Sequence, residues 1–335
     1  MALVAAVFLV ACESEITSAT QSAGPDAEPT VAPTSTPVPY REFADAEVPP
    51  ADPERLARLT DLLSLVPDNH GAAVYLDVEL LRSDPVLSSI ITAEVLGLDS
   101  ALPSIVTGLV NSIAIAADLK TQTLVTAFQS DIAIANLLQF ASNFGLPLTT
   151  GGPVPHEGHD IWNIDFQGNV LAIGEAGDST GVAAGGLVAA ASEARGLVVA
   201  SLDAFDGRSA GLLDAPGLSA LMADVPSGFA AAALSQCQVL PLLNSVPELP
   251  GCTGAVASAS LLSDELAVVH ALIGFEDEDQ AAAAMQLAAG ALESQKATRD
   301  FEDLGVRQEG ANVRARVIVE VAKIADAFQM FAPDN

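Results

Sequence analysis

Apolar positions along this chain recur with two periods, one helical and one extended. From Pro53, residues Leu56, Leu59, Leu62, Leu63 and Val66 fall at helical spacing, and a proline at the first helical position suits a helix start. "VPDNHGAAVYLDV", from Val66, reads as a turn feeding a strand. Further strands are expected at 111–118 ("NSIAIAAD"), 123–128 ("TLVTAF"), 159–165 ("HDIWNID"), 168–176 ("GNVLAIGEA") and 196–201 ("GLVVAS"). Helical patterns lie between them, at Pro103 to Val110, Asp131 to Phe144, Gly181 to Glu193, and in two short pieces between Leu202 and Ala223. Two pairs of neighbouring strands are joined by tight turns, which antiparallel pairing allows and parallel pairing forbids. The pattern predicts an α+β fold, not a doubly wound sheet.

The second part of the chain repeats this grammar. "VPDNHGAAVYLDV" is echoed by "VPSGFAAAALSQC" from Val225, each a Val-Pro turn leading into an apolar strand. A hairpin ending near Phe128 is matched by one ending near Phe275, and each precedes an acidic helix start. "HEGHDIWNIDFQGNVLAIGEA" is matched by "VRQEGANVRARVIVEVA" as a second hairpin. The repeated order predicts two related lobes, 53–224 and 225–335, each of antiparallel hairpins packed with helices.

The amino terminus has a different character. Ala2 to Ala11 is a ten-residue apolar run, about half of what a membrane-spanning helix needs. Its length suits a signal peptide, residues 1–11, although no Lys or Arg precedes it, which is consistent with a translation start upstream. Leu9, Val10, Ala11 and Cys12 resemble the lipobox of bacterial lipoproteins. That resemblance implies a diacylglycerol on the Cys12 thiol, cleavage after Ala11 and acylation of the new amino group. Residues 12–52 follow, dense in Pro, Ser, Thr, Ala and acid, a composition that stays extended because no core repays its ordering. They read as a disordered linker lifting the body off a membrane.

Charge narrows the partners. With 13 Lys and Arg against 43 Asp and Glu, the formal net charge is -30, which phosphate backbones repel, so nucleic acid is excluded as a partner. Half the residues are hydrophobic, enough for a substantial core. Through "VP", the strand after it, "DVELLRSDPVL" and the later "VPSGF", the body resembles an uncharacterised family of bacterial extracytoplasmic proteins over most of 60–330. The resemblance implies this architecture and brings no catalytic residues with it.

Each candidate for chemistry has a plainer reading beside it. Cys237 and Cys252 are an even pair in an exported domain, which favours a disulfide over buried thiols or a redox pair. Closing that loop of about 15 residues contributes about 3 kcal/mol in the chain-entropy model. His156, His159 and Asp160 in "PHEGHDIW" form the most metal-like cluster, but along a strand the two histidines would point to opposite faces. "GRSAG" around Ser209 matches a nucleophile elbow, with Asp264 and His270 following in α/β-hydrolase order; yet seven residues separate Ser209 from the expected strand end at Ser201. "GEAGDSTG", 174–181, lies between an expected strand and helix but lacks a P-loop lysine, and "FEDED", 275–279, reads as a helix cap rather than a calcium loop. The sequence therefore predicts a non-catalytic lipoprotein held to the membrane through Cys12, extracytoplasmic, without cofactor or metal, working by contact with envelope proteins or polymers. A solute-binding lipoprotein holding a small ligand between the lobes is the alternative, and a serine hydrolase the third reading.

Overall fold

The computed structural model describes residues 43–44, 48, 52–89, 108–118, 120–121, 123–143, 148–150, 152–166, 169–177, 179–185, 191–225, 228–235, 237, 249–294 and 303–322. Cys12, the apolar run and most of 12–52 lie outside these residues, as do 103–107 of the helix expected before Val110.

The first half contains α1 (Pro53–Ser64), β1 (Ala72–Asp77), α2 (Val78–Ser83), β2 (Val110–Asp118), β3 (Thr123–Ser130), α3 (Ile134–Asn143), β4 (Leu148–Thr150), β5 (Val154–His156), β6 (His159–Phe166), β7 (Asn169–Gly177), β8 (Thr180–Gly185), α4 (Ala191–Phe205) and α5 (Pro216–Met222). The second contains β9 (Ala230–Leu234), β10 (Cys252–Leu261), β11 (Leu266–Phe275), α6 (Glu278–Ser294), β12 (Asp303–Glu309) and β13 (Asn312–Glu320). The fold is α+β. Its strands form one antiparallel sheet in the order β12-β13-β11-β10-β9-β1-β2-β3-β8-β7-β6-β4, with β5 beside β6.

The middle of that sheet is the ladder between β1 and β9, from Ala72 opposite Leu234 to Leu76 opposite Ala230. Outward from it both directions run alike: β2 and β3 on one side, β10 and β11 on the other, then β8 with β7 against β13 with β12. The counterpart of the β12–β13 hairpin is therefore β7–β8. The β6–β7 hairpin, which the sequence echo pairs with it, sits one strand further out.

The mismatch has a local cause. The stretch from Gly181, expected as a helix, begins in strand β8, and "GLVVAS", expected as a strand, lies inside α4. A short apolar run with adjacent β-branched residues reads as either element, and only its extension decides. Here Ala194, Val198 and Leu202, four residues apart and fully buried, make one helical stripe against the sheet.

Alternation along the strands divides the core into two layers. One face, including Ala73, Tyr75, Ala127, Val182, Val256 and Leu272, packs under α1, α4 and α5. The opposite face is covered in patches by Leu81 and Leu87 near the centre, by α3 over Phe128 and Trp162, and by α6 over Phe275 and Val313. Many strand positions are alanine, so backbones and helices approach closely: a Cβ on Gly228 would stand 1.9 Å from the Ala259 carbonyl oxygen. Helix α1 starts at Asp52, whose carboxylate accepts from the Glu54 and Arg55 amides. Its Arg55 and Arg58 then face the buried Asp77 at 3.6 and 3.7 Å, fixing the helix over the end of β1. Upstream of α1, Phe43 is only 3 % exposed, with the Arg307 guanidinium 4.8 Å above its ring. The folded body thus takes in a residue from the stretch read as linker.

Cys237 and Cys252 are bridged, with Cα atoms 5.8 Å apart. The bridge ties Cys237, three residues beyond the end of β9, to the first residue of β10.

Candidate functional site

The densest polar constellation lies where the β5–β6 hairpin meets the end of α4. Glu157 and Gly158 form the hairpin turn with φ of 49° and 96°, the positive pair that a two-residue hairpin turn adopts. His156 and His159 become directly paired residues. Their rings therefore share one face, where a continuous strand would have separated them. Asp160, next along β6, falls on the other face and is exposed.

Helix α4 brings the partners. His156 Nε2 donates to Asp203 Oδ1 at 3.1 Å, and His159 Nε2 donates to Asp206 Oδ2 at 2.8 Å. Arg208, on the turn beyond the helix, donates through Nε to the same Asp203 oxygen at 2.8 Å and through Nη1 to the same Asp206 oxygen. The Nδ1 atom of His159 stands 2.9 Å from the Glu175 backbone carbonyl on β7. Carboxylates at a helix carboxyl end face the negative pole of the macrodipole, so they need cationic company. The hydrogen bond from His156, helped by Arg208, holds the Asp203 carboxyl below the usual carboxylate range, and His159 with Arg208 does the same for Asp206. Among the described residues no three His, Cys, Asp or Glu side chains are arranged to hold a metal. The space between the two carboxylates is bridged by a guanidinium.

The second half holds a contrasting histidine. Ser258, His270 and Arg316 stand side by side on β10, β11 and β13. His270 is 2 % exposed, and neither its ring nitrogens nor the Ser258 hydroxyl has a hydrogen-bond partner. Burial first, then the charges of Arg316, Arg314 and Arg307, push the imidazole down to about 4, so it is neutral at pH 7. Arg314 donates to Glu309 at 3.0 Å and to the Asp224 carbonyl at 3.2 Å, while Arg316 donates to Asp303 at 3.0 Å.

This arrangement does not assemble the hydrolase residues. Ser209 lies in the turn after α4, its amide donating to the Asp203 carbonyl; Asp264 lies in the β10–β11 turn; His270 hydrogen-bonds to neither. The serine follows a helix, whereas an elbow requires a strand before the nucleophile. "GEAGDSTG" joins β7 to β8, so no helix amino terminus follows it to hold phosphate. In "FEDED", Asp277 caps α6 by accepting from the Gln280 amide at 2.8 Å. Between α1 and α5 a groove of about 340 Å³ is lined by Leu56, Thr60, Leu213, Ser219, Met222 and Ala223. Its hydroxyls are bonded to their own helices, Thr60 to the Leu56 carbonyl and Ser219 to that of Pro216.

The two histidines and Ser209 were visible in the sequence, whereas Asp203, Asp206 and Arg208 were not. The two aspartates sit 47 residues from their histidine partners. The only local signal was an unusual pair of acids at a helix carboxyl end.

No family model matches this chain, and no curated protein does either. Among solved structures it is similar to crystal forms I, IV and III of the Treponema protein TP0453, at 10, 8 and 9 % identity with TM-scores of 0.45, 0.48 and 0.47. Each match covers 80 % of this chain and 96–98 % of the other. Likeness at this level carries no argument about role. No helix among the described residues is long and apolar enough to cross a membrane.

Proposed function

We propose that this chain is a non-catalytic, lipid-anchored protein of the cell envelope, tethered through Cys12 on the extracytoplasmic face. The observation that carries the reading is how the three cysteines divide. Cys237 and Cys252 are bridged in the body, which suits an oxidising compartment. The remaining cysteine is Cys12, at the end of an apolar run within a lipobox-like sequence. Two or more acyl chains there give stable anchoring, which a single chain does not. The acidic body then works by contact with envelope proteins or polymers.

Neither competing reading gains from the geometry. A ligand cleft between the halves would lie where β1 and β9 form a paired ladder. The α1–α5 groove offers few polar groups to orient a solute, because its hydroxyls are engaged by their own helices. The hydrolase reading loses its triad.

Detergent phase partition tests the proposal. The full-length protein, expressed in a bacterium with lipoprotein processing, is expected in the detergent phase and labelled by radioactive palmitate. Cys12→Ala is expected unlabelled, with its body still bridged. Equal labelling and partition of the two proteins would refute the anchor.

A further inference from the structure

We infer that the β5–β6 hairpin is fastened to α4 by a proton-dependent latch at His159. His159 Nε2 meets a carboxylate oxygen of Asp206 at 2.8 Å, and Nδ1 meets the Glu175 carbonyl oxygen at 2.9 Å. Both are acceptors. A neutral imidazole carries one N–H and therefore makes one of these bonds while turning a lone pair toward the other oxygen. Only the imidazolium makes both. The ring thus ties together β6, β7 and the turn at the end of α4 only when protonated.

The Asp203 carboxylate from α4 and the Asp206 carboxylate from the turn just after it face the hairpin, and Arg208 in the same turn spans them. On the hairpin itself Glu157, Asp160 and the second histidine, His156, are the ionisable groups, and Glu175 approaches from β7 through its backbone carbonyl. Phe205 contributes an edge-on ring contact to His159 at 6.4 Å. His156 contributes one hydrogen bond, to Asp203, which its neutral Nε2–H tautomer also makes. Proton dependence therefore concentrates on His159, and Arg208 keeps the two carboxylates compensated when the ring loses its charge.

Deprotonation replaces a charge-assisted bond with a lone pair facing a carboxylate or a carbonyl, and the hairpin tip loosens from the helix end. The latch stands on this geometry alone and is independent of the membrane anchor proposed above.

Hydrogen exchange on the full chain, with protection factors corrected for the intrinsic pH dependence, reads it directly. Amides of 156–161 are expected to be about tenfold better protected at pH 5.5 than at pH 8.5, the loss of one hydrogen bond to a charged group. In His159→Gln, whose amide cannot gain a charge, that ratio is expected to fall to about one. His156→Gln is expected to keep it. Equal wild-type protection at the two pH values, or a ratio that survives in His159→Gln, would overturn the latch.

Discussion

Two histidine sites in one sheet show how completely the neighbouring strand decides what a histidine is. His159, at the partly exposed edge of the first half, faces only acceptors and sits among carboxylates. His270, in the interior of the second half, has no hydrogen-bond partner and lies among Arg307, Arg314 and Arg316. The first arrangement gives an imidazolium two acceptors, and the second keeps its ring neutral at pH 7. In a chain with a formal charge of -30, the exceptional region is the buried basic one.

Removing Arg314 breaks this contrast hardest. It is 6 % exposed and pairs with Glu309 and the Asp224 carbonyl, so Arg314→Ala is expected to cost about 3 kcal/mol in urea unfolding. The same variant removes one of the charges that suppress His270, so NMR titration should find that ring closer to its ordinary value. An unmoved His270 would mean that the Arg314 charge takes no part in holding it neutral.

The next effect is on acid stability. The folded value of His270 is about 4 against an unperturbed 6.5, so between these the unfolded chain binds more protons than the folded one. Stability therefore falls as pH drops from about 6.5 toward 4, by up to about 3 kcal/mol. His270→Leu, which has nothing to protonate, is expected to lose that slope, so its stability relative to wild type should be better at pH 4.5 than at pH 7.5. Parallel curves for the two proteins would contradict the assignment.

Asp206→Asn probes the opposite site with the smallest effect. The Asp206 carboxyl is held low in the folded state, so its contribution is present above the ordinary carboxylate range and disappears as pH falls through the folded value. Because the group is partly exposed, the loss at pH 7 is expected to stay under about 1 kcal/mol, read by thermal unfolding.

Much of this architecture could be read from period and turn chemistry. The hairpins at 111–130 and 252–275, the helices at Pro53 and Ile134, and the acidic cap at Asp277 follow from local pattern, because alternation, caps and tight turns are local causes. Strand β8 and helix α4 were exchanged because their short apolar runs fit either period, and what chose between them was packing on strands far along the chain. The histidine cluster was found but its geometry was inverted: the rule that residues three apart diverge holds along a strand and fails across a two-residue turn. In "VRARVIVE", read only as part of a hairpin, Arg314 and Arg316 alternate with apolar residues and are buried on the face shared with Leu272 and Val256. Nothing in the strand's own sequence announces that burial, to which Asp224, whose carbonyl accepts from Arg314, contributes from far along the chain.

The proposed tether is open to one direct measurement, the intact mass of the protein recovered from a bacterial envelope without reduction. The account predicts a chain beginning at residue 12, heavier by acyl chains on that cysteine and lighter by two hydrogens for the Cys237–Cys252 bridge. A full chain from Met1 carrying a free thiol at Cys12, recovered outside the envelope, would contradict it.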